Sequence, residues 1–217
     1  MKNMLKPILK QFISFYRKIY RKIKNRRLTN HDFSLITNNC IGGVILHDLN
    51  LRFNSPTINL YFLDSDFIKF ISHLNDYLSA SLVENVCSDK DYPVGTLLCE
   101  HGDIDLFFVH YNSFDEAKQK WIDRSKRINK NNLFIIMEAP YITLENFDTF
   151  GDIGYKNKLI ITGDHVPNRP YCINLRDFYN NAYHLGKVME NKSSFSLTRY
   201  IDDIDYIEFF NTGKIVQ

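Results

Sequence analysis

Apolar side chains recur at three- and four-residue steps through the first segment, at Leu5, Ile8, Leu9, Phe12, Tyr16, Ile19, Tyr20 and Ile23, with Lys and Arg on the remaining faces. That spacing predicts an amphipathic helix over residues 4–24, with Pro7 near its start, where a helix tolerates proline. The next apolar run, Leu35-Ile36-Thr37, stops abruptly at Asn38-Asn39-Cys40-Ile41-Gly42-Gly43. It reads as a strand turning into a short helix over 44–49. Residues 57–62 alternate enough for a strand or extended segment. Ser65 or Asp66 can cap a helix over 67–79, and residues 85–96 read as a loop leading into a strand over 96–99. The clearest unit follows. Residues 104–110 form a strand, Ser113 and Glu116 a capping box, 114–128 an amphipathic helix and 133–137 another strand. Strand, helix and strand in that order predict a right-handed βαβ crossover. Residues 158–162 and 171–175 repeat the strand pattern, and helices are expected over 178–189 and around 200–210.

These elements predict one Rossmann-like α/β domain over residues 29–217. Its sheet is mostly parallel with flanking helices, its C-terminal part is helical, and a basic amphipathic helix over 1–28 precedes it. The chain's 217 residues, 44% of them hydrophobic, suffice for such a core.

Charge changes the picture more than composition does. The net charge is only +2, yet the first 27 residues carry ten Lys or Arg and no acid. The remainder holds seventeen bases against 25 acids, a net of −8, which argues against nucleic acid as a partner. The basic helix with its apolar stripe fits an anionic membrane surface, the alternatives being a helix docked on its own domain or in a dimer interface. Four scattered cysteines without CxxC spacing point to a reducing, cytoplasmic setting. No apolar run approaches the roughly 20 residues of a membrane span. The expected location is therefore cytoplasmic, peripheral at the inner membrane face.

Candidate chemistry gathers at the expected carboxyl ends of strands, where open α/β sheets bind ligands. Cys40 is the candidate nucleophile, its thiol pKa lowered by the start of a helix. His110, after one strand, and Asp164-His165, after another, are the candidate base and its partner. Asn38 and Asn39 could donate to an oxyanion or a sugar hydroxyl, with Gly42, Gly43, Ser55 and Thr57 beside them. Trp121, Arg124 and Arg127 share one side of the 114–128 helix and could hold a phosphate, carboxylate or sugar ring. The bland alternatives are a buried structural thiol and a tryptophan that anchors its helix on the sheet. Glu100-His101-Gly102-Asp103 lacks HxH or HExxH spacing, so no metal site is expected. Asp64-Ser65-Asp66 and Asp103-Ile104-Asp105 match a short DxD pattern that chance also produces. Walker, GxGxxG and GxSxG motifs are missing.

Asn38-Asn39-Cys40-Ile41-Gly42-Gly43, Ser55-Pro56-Thr57, Pro93-Val94-Gly95, His110-Tyr111 and Trp121…Arg124…Arg127-Ile128 with Asn132 resemble, in the same order over residues 30–212, the bacterial domain-of-unknown-function family nineteen-nineteen. Its members are often labelled exopolysaccharide-biosynthesis proteins because of where their genes lie. The resemblance implies a cytoplasmic Rossmann-like domain in a glycan-assembly setting, with the helix at 4–24 additional to the family core. The Asn-Cys turn is also similar to the Gly-Asn-Cys turn of capsule-biosynthesis acetyltransferases that bind coenzyme A, with Asn38 in place of Gly. The function expected is an acyltransferase modifying glycan precursors, with acetyl coenzyme A as candidate donor. A glycosyltransferase-like enzyme and a non-catalytic scaffold of a glycan-assembly complex are the alternatives.

Overall fold

The computed structural model describes residues 2–179 and 184–215. Its first element is α1 (Lys2–Arg27), followed by β1 (Ser34–Thr37) and α2 (Ile41–Asp48). Then come α3 (Asp64–Ser72), α4 (Leu74–Ser79), β2 (Ser81–Glu84), β3 (Val94–Leu98) and β4 (Ile104–Phe107). The remainder comprises α5 (Phe114–Ser125), β5 (Leu133–Glu138), α6 (Leu144–Asp152), β6 (Lys158–Thr162), β7 (Cys172–Asn174), α7 (Arg176–Tyr179) and α8 (Tyr206–Thr212).

A parallel sheet in the order β1-β5-β6-β7 organises the chain, in register through Ile36↔Ile135, Ile136↔Leu159 and Ile160↔Cys172. All six residues of β5 and all five of β6 are buried, as strands covered on both faces require. Alternate side chains feed two cores. Ile36, Ile135, Met137 and Ile160 join Phe67, Phe70, Trp121, Phe147 and Phe150 on one face. Leu35, Phe134, Ile136, Leu159 and Ile161 join Ile45, Leu46, Phe209 and Phe210 on the other.

The α/β class with a parallel sheet and flanking helices is as expected, but the βαβ unit is not. The strand expected at 104–110 does not lie beside β5; as β4 it closes a separate antiparallel sheet, β2-β3-β4. The reason lies in its pattern. Ile104 and Leu106 are buried while Asp105 and Phe107 are half exposed, the alternation of a strand with one wet face. The local parallel crossover is instead β5-α6-β6, through a helix not anticipated, capped by Thr143, whose Oγ1 accepts from Asn146 N–H at 3.2 Å. Residues 57–62 form no strand and contribute a single bridge, Tyr61↔Phe107. The helix expected at 67–79 starts at Asp64 and breaks at His73 into α3 and α4. Of the helix expected at 178–189, residues 180–183 lie outside the described residues; α7 precedes them and a 3-10 turn at Lys187–Met189 follows. The segment around 200–210 splits into a 3-10 turn, Tyr200–Asp203, and α8, which Gly213 ends at φ 73°.

The N-terminal helix forms with the opposite face turned inward. Arg21 pairs with Asp48 at 3.0 Å, Lys24 with Asp202 at 2.5 Å, Arg27 with Asp205, and Arg17 Nε donates to Ser196 O at 2.8 Å. Lys24 Nζ also stands 3.9 Å from the Tyr206 ring centroid. Phe12, Phe15, Tyr16, Ile19 and Ile23 are exposed instead. The helix is clamped on its own domain through cations spaced four and three residues apart, which share one helical face. Burial pulls the Lys24 ammonium pKa down and Asp202 raises it again. Breaking a pair of this kind costs several kcal/mol, because the partner charge is left desolvated. Lys24→Met is therefore expected to lower unfolding free energy by about 3 kcal/mol in urea titration. Lys22→Met, on the exposed side, should stay within about 0.5 kcal/mol of the parent.

Candidate functional site

The turn after β1 is fixed by its two asparagines. Asn38 bonds the main chain of Glu138 twice: its Nδ2 donates to the carbonyl at 2.8 Å and its Oδ1 accepts from the N–H at 2.9 Å. Asn39 Nδ2 donates to Glu138 Oε2 at 2.6 Å, while Asn39 Oδ1 accepts from Ile41 N–H at 2.9 Å and satisfies the first turn of α2. Thr37 Oγ1 donates to Asn39 O at 2.7 Å. Gly42 then packs so closely that a Cβ there would lie 2.7 Å from Thr37 Oγ1. Glycine is needed for helix and strand to approach at this point.

Glu138 is fully buried at the end of β5. Besides Asn39, it accepts from Tyr179 OH at 2.9 Å and from the N–H groups of Gly186 and Val188 at 2.8 and 3.5 Å. Burial pushes its carboxyl above the ordinary range, and these donors pull it back. A set made only of donors fits a carboxylate. Asn38 and Asn39 are equally buried and have their groups committed inside the protein, so neither presents a donor to a ligand.

Asp64 opens α3 at the rim of this network. Its Oδ1 accepts from Asn38 Nδ2 at 3.3 Å. Its carboxyl is raised from 3.8 to about 6, first by burial and then by the nearby Glu138, against the lowering effect of Asn38. Cys40 lies beside the same turn, but burial pushes its thiol up to about 11, the reverse of the lowering expected from a helix start. Its Sγ contacts Leu60 O at 3.8 Å. Cys40 at the head of α2 is therefore a neutral thiol at pH 7.

The other expected residues are placed as follows. Ser55 and Thr57 are buried, bonded to each other at 3.0 Å, and Thr57 Oγ1 accepts from Thr37 N–H at 3.0 Å. Gly43 packs against Ile58. Asp164 ties two strand ends together, accepting from Ile142 N–H, while His165 and His110 are exposed. His110 makes no hydrogen bond with Cys40, so no Cys-His dyad is assembled there. Trp121 is core, 5.9 Å from the Phe70 ring. Arg124 is buried beside it, donating to Ile58 O at 3.2 Å and to Tyr111 OH at 2.7 Å. Arg127 Nε is buried without a partner, near the like charges of Arg52 and Arg124. The residues after α5 lie at the amino end of β1, since Asn129 N–H donates to Ser34 Oγ at 2.8 Å. Trp121 and Arg124 lie in α5 and Arg127 just beyond its end, and Arg124 is bonded to the 57–58 segment that also meets the carboxyl end of β1.

Sequence reasoning missed Glu138 and Tyr179 and met Asp64 only within a DxD pattern. One signal was available for Glu138: a lone acid closing the apolar run Leu133-Phe134-Ile135-Ile136-Met137. The DxD reading fails on helical geometry, because Asp64 and Asp66 project to different sides of the first turn. Glu138→Gln would turn an amide NH₂ toward groups that donate, and should lower stability by about 1–3 kcal/mol in denaturant titration, with secondary structure retained.

The model of the family described as "Domain of unknown function (DUF1919)" matches residues 11–211. An uncharacterized protein of Haemophilus influenzae is 35% identical over 187 residues, covering 86% of this chain and 87% of the relative. The match starts inside α1, so that helix from Gln11 onward is within the family region rather than additional to it. The chain belongs to the DUF1919 family.

Proposed function

We propose that this protein is a transferase of cell-surface polysaccharide assembly, acting on a glycan precursor at the cytoplasmic membrane face, with Asp64 as general base. The observation that carries the reading is the raised carboxyl of Asp64, held by Asn38 at the carboxyl edge of a parallel sheet. A base with a pKa near 6 is close to the operating pH, which is where proton transfer is most effective. Acyl transfer is the reaction favoured, with acetyl coenzyme A as candidate donor. The acceptor hydroxyl oxygen attacks the thioester carbonyl, its proton passes to Asp64, and the carbon–sulfur bond breaks, the departing sulfur taking that proton to leave as the thiol. Burial disfavours the Cys40 thiolate, so direct transfer is the route favoured over an acyl-cysteine intermediate. The glycan setting is supported by the labels of the family the sequence resembles.

Location at the membrane is supported by the outer face of α1. Phe15, Ile19 and Ile23 are exposed there beside the equally exposed Lys18, Lys22 and Arg26. Apolar residues flanked by cations fit the interface of an anionic bilayer. Replacing Phe12, Phe15, Ile19 and Ile23 by serine should abolish co-sedimentation with anionic vesicles and leave the melting temperature unchanged, since the clamping cations are kept. Unchanged sedimentation overturns the membrane contact.

The transferase reading is tested with Asp64→Asn, which preserves shape and a hydrogen-bond acceptor toward Asn38. A carboxyl whose folded pKa exceeds its unfolded value favours folding below about pH 4 and loses that contribution as pH rises through about 6. The variant should therefore melt higher than the parent at pH 7, with the gap closing toward pH 4, yet fail to restore polysaccharide modification in cells lacking the parent. Thermal-shift titration separates donors. Stabilisation by acetyl coenzyme A supports acyl transfer, stabilisation by nucleotide sugars with manganese replaces it with glycosyl transfer, and full restoration by Asp64→Asn leaves a non-catalytic scaffold role.

A further inference from the structure

Away from the carboxyl edge, the junction of α3 and α4 faces the turn between β3 and β4. His73 occupies the break between the helices, at φ −125° and ψ 42°, and Asp76 follows in the first turn of α4. Across from them stands His101. Its Nε2 lies 3.0 Å from Asp76 Oδ2 and 3.8 Å from Glu100 Oε1, and its ring stacks on that of His73 with centroids 3.6 Å apart. One ligand atom from each of His73, Asp76 and His101 lies within 4.8 Å of the others. No linear motif expresses this grouping, because its members come from two segments 25 residues apart.

We propose that His73, Asp76 and His101 form a binding site for a divalent transition-metal cation of the zinc type, with Glu100 in reach as a fourth ligand. The donor set decides the class of ion. Two imidazoles and a carboxylate suit zinc, cobalt, nickel or copper, whereas magnesium and calcium favour oxygen donors alone. Both ligand-bearing segments are pinned. Tyr77, buried one residue after Asp76, donates to Gly102 O at 2.6 Å and so holds the turn against α4. The turn itself is fixed by Gly102 at φ 97°, by Gly102 N–H donating to Cys99 O at 3.0 Å, and by Cys99 N–H donating to Asp103 Oδ1 at 3.1 Å.

The ligands themselves must still move. Zinc–nitrogen bonds of roughly 2.0–2.1 Å need lone pairs that converge, so the stacked rings have to open from their parallel arrangement. Asp76 and Glu100 are half or more exposed, and the imidazole of His101 is partly so, which leaves them room to rotate. Local charge favours a cation overall: Asp76, Glu100 and Asp103 surround the turn, against Lys69, whose Nζ lies near Gly102 and 3.8 Å from Asp66. A bound ion would bridge α4 to the β3–β4 turn and stabilise the antiparallel sheet, independently of the reaction proposed for Asp64.

The test uses the full chain, freed of metal with a chelator and dialysed. Zinc titrated calorimetrically should give one site per chain and raise the melting temperature. The isotherm should vanish in the His73→Ala/His101→Ala double variant and weaken in Asp76→Asn, whose substitution is at the surface, with circular dichroism confirming that each is folded. Cobalt should give visible d–d bands without thiolate charge transfer, which separates this site from the exposed Cys87. A parent protein that binds no zinc in the micromolar range overturns the proposal. So does a folded double variant that binds as tightly as the parent, or a cobalt spectrum dominated by thiolate.

Discussion

The fold closes around one buried carboxylate. Glu138 ends the central strand β5 and is met by the side chains of Asn39 and Tyr179 and the backbone N–H groups of Gly186 and Val188. An isolated carboxylate at that depth is unfavourable by many kcal/mol, and only a full set of donors offsets it. The donors come from three places: the turn after β1, helix α7 and the turn that starts at Gly186. Each of these has to be in position for the others to be satisfied. Gly186, at φ 90°, adopts the left-handed conformation that aims its N–H at the carboxylate. The C-terminal segment is thereby fastened to the edge of the parallel sheet by an electrostatic requirement as well as by Phe209 and Phe210 in the core.

The same requirement reshapes the place where a ligand would be sought. In open α/β sheets the carboxyl edge is where polar groups are left free. Here the central part of that edge is closed over, and Asn38 and Asn39 serve Glu138 rather than a bound molecule. The polar group left half exposed at the rim is Asp64. Its carboxyl is destabilised in the charged form first by burial and then by the negative charge of Glu138. A group held in an unfavourable protonation environment next to a strand end is a common mark of function, while a purely structural aspartate would gain from a cation that Asp64 does not have.

Much of this architecture could be read from the chain, and the failures have identifiable causes. The apolar runs of β1, β5 and β6, the Ser113 cap of α5 and the long basic helix followed from local periodicity, which local physics dictates. The strand-to-helix turn at 38–43 is legible as a cluster of polar side chains at a strand end, and the structure turns Asn38 and Asn39 toward Glu138. Nothing near Asn39 in sequence reveals that its partner is Glu138, 99 residues away. Adjacency in sequence points β4 toward β5, whereas its alternating pattern already indicates a half-exposed antiparallel strand. Cys40 was credited with the field of a helix start, and burial proved the larger effect. The His73–Asp76–His101 group needed a helix break and a turn to meet, and neither is encoded by ligand spacing.

The N-terminal helix carries the same lesson about charge. Ten cations next to a body of net charge −8 predict attraction to something acidic, but composition alone does not say to what. Among the described side chains, the structure divides these cations by helical face. Arg21, Lys24 and Arg27 meet the body's own acids, Asp48, Asp202 and Asp205, and Lys18, Lys22 and Arg26 face outward beside Phe15, Ile19 and Ile23. The inward pairs set the rotation of the helix and so determine that its apolar stripe points away from the protein. Burial also sets the response to ionic strength, since Lys24–Asp202 is shielded from solvent, whereas Arg27–Asp205 and the outer cations are not. Salt therefore screens the exposed cations before it weakens the Lys24–Asp202 pair. The buried pair therefore holds the helix on its own domain whatever the exposed cations meet.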